Sequence, residues 1–282
     1  MSVQRSHAEV TTPRAVPAPL TTVSVTRWRD GVCATVRDQV AEETPVAVLC
    51  NGEPHAVMLM SPADIADFAL GFALTEGLIG APRELVLVEQ RALDDGIEVD
   101  LIIPARLGLP AADQGRSLAG RSGCGLCGKR MLEDALRTPP PIASAPEVSR
   151  AAIARASAAL ARRQPLNQQT GAVHAAAWVD LAGEVIAVRE DIGRHNALDK
   201  LIGARIKGDY PAGFALVTCR ASYEIVMKAA LAGIGVVAAV SAPTARAVRL
   251  AEVCQVTLAA FVRGPDLVIY SHAARIVDGG KT

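Results

Sequence analysis

The sequence predicts an α/β protein in two parts, a smaller α+β first half and a three-layer α/β sandwich in the second. Three observations point there. β-prone runs broken by turn signals crowd the stretch from Val23 to Met60, and four prolines interrupt residues 138–146, TPPPIASAP. Beyond them, strand-like and helix-like segments alternate at the spacing of right-handed βαβ crossovers. With 282 residues, half of them apolar, the chain can bury two cores.

Residues 1–20 carry Pro and small polar side chains without apolar periodicity, as a mobile arm would. The first domain is predicted over 21–137. Its runs VSVTRW, VCATVR, PVAVLC and HAVMLM, the last two joined through Asn51-Gly52-Glu53-Pro54, predict an antiparallel sheet. Ser61-Pro62-Ala63-Asp64 then offers a cap hydroxyl, a proline for the first helical position and an acid for the positive helix end. Ile65, Phe68, Phe72 and Leu74 supply the apolar stripe, and Gly77 the stop. LVLVEQ and IEVDLII flank Asp95-Gly96 as a hairpin, and KRMLEDALR is a short amphipathic helix.

The prolines of 138–146 mark a linker, and 147–282 the second domain. There an alanine-rich helix from Val148 to about Arg163 precedes a hairpin of AVHAAAWVD and EVIAVRED. Ala197, Leu198, Leu201 and Ile202 give one face of the next helix. GFALVT, SYEIVMKAALAG, GVVAAV, TARAVRLAEV, VTLAAFV and DLVIYS continue the strand and helix alternation.

Composition excludes several classes of function. Lys plus Arg equals Asp plus Glu at 29 each, so no whole-chain field would hold nucleic acid or an acidic membrane surface. The N-terminus lacks the apolar core of a signal peptide, and the longest apolar run, Ala229 to Val240, is too short to span a bilayer. The expected compartment is the cytoplasm, where thiols stay reduced. Cys33, Cys50 and Cys254 sit in apolar runs and read as buried side chains, while Cys219 ends a strand.

Cys124 and Cys127 differ from these. RSGCGLCGK, residues 121–129, sets them three apart between glycines. Structural zinc would need two more ligands, and the chain has no second C-x-x-C and no H-x-x-x-H. A zinc deaminase would show P-C-x-x-C, and here Gly123 replaces that proline. Dithiol redox exchange and persulfide sulfur transfer remain. Glycine flanks let a thiol swing between partners, and Lys129, Arg130 and a helix start would favour its thiolate.

Ligands of such a sheet bind beyond the carboxyl ends of its strands. Those ends carry Thr218-Cys219-Arg220-Ala221-Ser222, Ser241-Ala242-Pro243-Thr244 and Arg263-Gly264-Pro265-Asp266. The hydroxyls of Ser222, Ser241 and Thr244 suit helix caps or a phosphate, and Arg220 and Arg263 suit a phosphate. There is no G-x-x-x-x-G-K-[ST] and no strand-linked G-x-G-x-x-G. Arg189 to Asn196, REDIGRHN, suggests a fixed polar turn, with Asn196 as a helix cap. His174 reads as a core or rim histidine.

SGCGLCG (122–128), TGAVHAAA (170–177), REDIGRHNALDKLIG (189–203), RASYEIVMKAALAGI (220–234), AVSAPT (239–244) and TLAAFVRG (257–264) occur in order, and together resemble the FdhD/NarQ family of formate dehydrogenase accessory sulfurtransferases. The resemblance covers nearly everything after the N-terminal arm. It implies a cytidine-deaminase-like sandwich without the zinc site, and a homodimer. It also implies sulfur taken from a cysteine desulfurase and passed to molybdenum in the bis-molybdopterin guanine dinucleotide cofactor, for formate dehydrogenase. By the same resemblance Cys124 bears the persulfide, Cys127 is the loop's second cysteine, and Phe261, Val262, Arg263, Gly264, Pro265 and Asp266 form the cofactor stretch, with Arg220 and Ser222 on the rim. The family often ends that stretch with a basic residue. A carboxylate repels phosphate, so Asp266 would contribute through its backbone. The competing readings are a C-x-x-C dithiol oxidoreductase and a non-catalytic cofactor chaperone.

Overall fold

The computed structural model describes residues 15–107 and 137–278. Leu20–Arg29 (β1) and Val32–Ala41 (β2) form an antiparallel ribbon. Its two-residue turn, Asp30-Gly31, has both residues in the left-handed region that such tight hairpins need. The ribbon forms a sheet of its own, and most of its side chains face solvent. Trp28 near its tip is 71% exposed. Cys33 is exposed on β2, which corrects the expectation of a buried thiol. An apolar run in a two-stranded ribbon has no second layer to enter.

Thr44–Cys50 (β3), Glu53–Met60 (β4), Leu87–Leu93 (β5) and Gly96–Ile102 (β6) make a second sheet in the order β4-β3-β6-β5. Here β3 runs parallel to β6, so the region from Val23 to Met60 is a separate ribbon plus one edge of a mixed sheet, in place of a single antiparallel sheet. A parallel neighbour requires a crossover, and Ile65–Thr75 (α1) lies on it. Val46, Val48 and Cys50 alternate inward on β3 and meet Phe68 and Phe72 of α1 in one core. The β5–β6 hairpin closes through Asp94-Asp95, one residue earlier than expected, with Leu93 opposite Gly96. Ser61 does not cap α1. Asp64 occupies the cap position in the left-handed region, without a side-chain bond.

In the second half Val148–Ser149 (β7) leads into Arg150–Leu160 (α2), where the Ser149 hydroxyl accepts a hydrogen bond from the Ala152 N–H at 3.1 Å. Pro165–Thr170 (α3), His174–Asp180 (β8), Val185–Asp191 (β9), Arg194–Lys207 (α4), Gly213–Val217 (β10) and Tyr223–Leu231 (α5) follow. Val236–Ala239 (β11), Ala245–Val253 (α6), Thr257–Arg263 (β12), Asp266–Ser271 (β13) and Ile276–Val277 (β14) complete the chain, with β14 pairing parallel to β7. The main sheet has the order β13-β12-β11-β10-β8-β9. Its centre, β10, β11 and β12, is parallel, and antiparallel strands flank it.

Period-two alternation buries both faces of this sheet. Ala177, Val179, Phe214, Leu216 and Val236 pack with Ile153 and Leu160 of α2. Ala176, Trp178, Ala215, Val217 and Val237 pack on the other face with Leu198 and Leu201 of α4, Ile225 of α5 and Leu250 of α6. Within residues 138–146, Ile142 is buried in this second cluster, and its N–H donates to the Cys254 carbonyl at 3.0 Å. The proline-rich stretch therefore lies against the second half.

Two glycines bring α1 and α4 together. A Cβ on Gly71 would overlap the Asp199 carbonyl, and one on Gly203 would overlap the Asp67 carbonyl. Each helix thus has its glycine where the other helix's backbone passes, one from each half of the chain.

Candidate functional site

Strand direction gathers the polar segments at one edge of the main sheet. The parallel strands β10, β11 and β12 end there, β9 ends there, and the antiparallel β8 begins there with His174. That edge carries His174, the turn from Asp191 to His195, Thr218 to Ser222, Ser241 to Thr244, and Phe261. Arg220 and Ser222 stand at the end of β10 and Phe261 beside the end of β11, where its N–H meets the Ser241 carbonyl at 3.3 Å.

Phe261 breaks the regular strand. It has φ 54°, a register shift separates Ala260 from Arg263, and its ring is 39% exposed between buried Ala260 and Val262. A bulky residue in the left-handed region is costly, and such strain gathers where function needs a side chain re-aimed. Gly264 and Pro265 form the turn into β13, with Gly264 also at positive φ and Arg263 opposite Asp266. Arg263 and Asp266 are exposed.

The hydroxyls of the rim divide. Thr244 caps α6, accepting from the Ala247 N–H at 3.2 Å. Ser222 occupies the cap position of α5 without making the capping bond, and its hydroxyl lies 3.4 Å from His195 Nε2. Asn196 is no cap either. Helix α4 begins two residues earlier, so the Asn196 amide sits in its first turn and donates to the Leu59 carbonyl at 3.0 Å and to Asp191 Oδ1 at 3.1 Å.

Asp191 organises this turn. It is fully buried, accepts from the Gly193 N–H at 2.7 Å and the Ser61 N–H at 3.1 Å, and faces the Lys200 ammonium at 2.6 Å. Lys200, itself buried, donates to the Ser61 carbonyl at 2.9 Å. The Ser61 hydroxyl accepts from the Ile192 N–H at 3.2 Å. Burial raises the Asp191 carboxyl above the usual range, with Lys200 pulling the other way. The first arginine of this segment looks elsewhere: Arg189 bonds Asp67 at 2.7 Å and approaches Asp64 at 3.6 Å. Glu190 accepts from the Leu166 and Asn167 N–H groups at the start of α3.

A second buried group links the same halves. Lys228 donates to Asp199 at 2.8 Å, to Glu76 at 3.1 Å and to the Thr75 hydroxyl at 2.9 Å. Burial alone would push this ammonium down, but Asp199 and Glu76 raise it above its usual value. These lysines were not singled out in the sequence. Their signal was available: Lys200 in NALDKLIG and Lys228 in EIVMKAAL interrupt apolar helix faces, which only a buried partner permits.

The rim itself favours neutral imidazoles and an inert thiol. Burial, then Arg194, hold His174 low, and burial, Arg194 and Lys228 bring His195 to about 2. His195 Nε2 is also 3.7 Å from Glu224, too far for a hydrogen bond, and a neutral ring makes no ion pair there. Burial pushes the Cys219 thiol up to about 11 although Arg194 and Arg220 pull it down. Cys219 therefore offers no thiolate at neutral pH. Cys124, Cys127, Lys129, Arg130 and the KRMLEDALR segment lie outside the described residues. Among the described residues, no group of three or more His, Cys, Asp or Glu could hold a metal ion, and no helix is long and apolar enough to cross a membrane.

Residues 41–277 match the family model described as the FdhD/NarQ family. The chain belongs to the FdhD/NarQ family. Among FdhD/NarQ relatives, the sulfur carrier protein FdhD of Cupriavidus necator is 50% identical over 264 residues, covering 93% of this chain and 92% of that protein. The sulfur carrier protein FdhD of Xanthomonas campestris pv. campestris is 51% identical over 255 residues, covering 90% and 91%. A crystal structure from Desulfotalea psychrophila, of a candidate formate dehydrogenase accessory protein, superposes with TM-score 0.71 at 22% identity, over 92% of this chain and 99% of that one. That likeness establishes the mixed α/β fold with its several sheets as the fold of this FdhD/NarQ protein.

Proposed function

We propose that this protein is a cytoplasmic sulfur carrier serving formate dehydrogenase. Cys124 takes sulfane sulfur from a cysteine desulfurase and delivers it to the molybdenum of the bis-molybdopterin guanine dinucleotide cofactor, which is the acceptor substrate. The observation that carries the reading is half-identity, over nine-tenths of both chains, to proteins named sulfur carrier protein FdhD. The fold supports it by setting Arg220, Ser222 and Phe261 on one edge, with a Ser222 hydroxyl that makes no helix-capping bond, where a substrate phosphate can be received. The cytidine-deaminase-like kinship of the second half and a homodimer belong to the same reading.

In this reading the Cys124 thiolate attacks the terminal sulfur of the desulfurase persulfide. A new S–S bond forms on Cys124 and the desulfurase cysteine leaves as a thiolate. At the acceptor, the Cys127 thiolate attacks Cys124 Sγ, so the outer sulfur departs as sulfide toward molybdenum. Cys124 and Cys127 are left as a disulfide, which a cellular dithiol then reduces.

The experiment is intact-mass and peptide mapping of the protein after incubation with a desulfurase and cysteine, beside Cys124→Ala and Cys127→Ala. The reading expects one added sulfur on Cys124 and none in Cys124→Ala, which also fails to activate formate dehydrogenase. A Cys124→Ala protein that activates formate dehydrogenase fully would overturn it. No added sulfur with an active desulfurase would favour a cofactor chaperone.

A further inference from the structure

Arg194 opens α4 at the same edge as Arg220, and its Nε is fully buried yet makes no hydrogen bond. An orphaned buried donor on a charged guanidinium is expensive unless something meets it. The two arginines share one edge: Arg194 directly precedes His195, Arg220 lies two residues before Ser222, and the His195 and Ser222 side chains stand 3.4 Å apart. Of the carboxylates near them, Asp191 is held by Lys200, Asn196 and the Gly193 N–H, while Glu224, in the first turn of α5, lies 3.7 Å from His195 Nε2, beyond hydrogen-bond reach.

Two helix starts open beside the same pair. The caps of α4, of 14 residues, and of α5, of 9, are Gly193 and Ser222, and neither makes a side-chain capping bond. The first-turn N–H groups of both helices therefore add their partial positive charge to the two arginines. The imidazoles of His174 and His195 contribute hydrogen-bonding capacity without a negative charge.

We propose that Arg194, together with Arg220, clasps a phosphate group of the substrate between the starts of α4 and α5. The group is a phosphate monoester or diphosphate, whose several oxygens can occupy two guanidinium forks and two helix ends at once. The inference rests on the reading of this edge as the substrate edge, and assigns a binding role to Arg194, a side chain that the family resemblance leaves without one.

Calorimetric titration of the full chain with inorganic pyrophosphate tests it. Wild type is expected to bind, and Arg194→Gln and Arg220→Gln each to weaken binding by about tenfold or more, the range for a lost charged hydrogen bond. Arg194→Lys, which keeps the charge but loses the fork, falls between. Wild-type affinity in Arg194→Gln, or no pyrophosphate binding by wild type, overturns the proposal. Should Arg194→Gln fail to fold, Arg194→Lys decides: affinity equal to wild type rejects the fork. Sulfur loading of Cys124 is scored separately on the wild-type chain. No sulfur there, with pyrophosphate still held through Arg194, would sink the sulfur-carrier reading and leave this site standing.

Discussion

Lys200 reaches from the second half of the chain to donate to the Ser61 carbonyl in the first, at 2.9 Å, while its counter-charge Asp191 receives the Ser61 N–H at 3.1 Å. One residue of the first half is thereby gripped on both backbone groups by a buried ion pair of the second. The turn that begins α4, and with it the basic edge, is positioned by this grip.

Removing one partner strands the other charge in the core. Lys200→Met should cost on the order of 3–5 kcal/mol of unfolding free energy, measured by urea denaturation. The double variant Lys200→Met with Asp191→Asn should recover part of that loss, since no lone charge remains.

The glycines between α1 and α4 should tolerate nothing larger. Gly71→Ala and Gly203→Ala each push a methyl against backbone of the other helix, which cannot give way as a side-chain tip can. Each should lower stability by roughly 1–3 kcal/mol or more, read from the thermal midpoint.

His195 sets an acid limit. In the unfolded chain it takes a proton near its ordinary value of 6.5, whereas burial and neighbouring Arg194 keep it neutral in the fold down to about 2. Between those values the unfolded state binds the extra proton, so stability falls as pH falls, by up to about 1.4 kcal/mol per pH unit from this group. Above pH 6.5 its contribution is constant. His195→Gln should remove one proton's worth of that slope between pH 6 and 5, measured by denaturation at each pH.

The two rim hydroxyls should separate by stability alone. Thr244→Ala removes a true cap and should cost about 1 kcal/mol, while Ser222→Ala removes no capping bond, only a long 3.4 Å contact with His195 Nε2, and should cost less. Equal losses would show that Ser222 is a structural residue.

Among cysteines of the described regions, brief alkylation of the native protein should mark Cys33 and spare Cys50, Cys219 and Cys254. Burial raises the Cys50 and Cys219 thiols to about 11, so neither exposure nor thiolate is available to the reagent. Peptide mass mapping checks it.

The periodic segments were legible from the residues alone. The hairpin of β8 and β9 and the strands and helices from Gly213 to Ser271 follow from alternation and stripe patterns that tertiary packing left intact. The order of strands was less so. Nothing local in PVAVLC says that its neighbour is the distant β6, because parallel pairing is decided by the crossover helix and not by a turn motif. The helix start at Ser61 misled for a similar reason: its hydroxyl and backbone are drawn to Ile192, Asp191 and Lys200, partners 130 residues and more away. At the site, Arg220, Ser222 and Phe261 were visible as strand-end residues. Arg194 was visible only as one charge among several, since its orphaned donor appears only when the helix starts are packed side by side.

The chain has two tryptophans, and the fold puts them in opposite surroundings. Trp28 stands in water near the ribbon tip, while Trp178 is 3% exposed in the main sheet, with the Arg205 guanidinium 4.5 Å from its ring centre. Intrinsic fluorescence therefore carries two separable colours: a red-shifted, iodide-quenched emission that belongs to the ribbon, and a protected blue emission that belongs to the sheet. A partner settling on the ribbon would shift the first and leave the second, and loss of the sheet would do the reverse, so an unlabelled sample can report docking and unfolding in one spectrum.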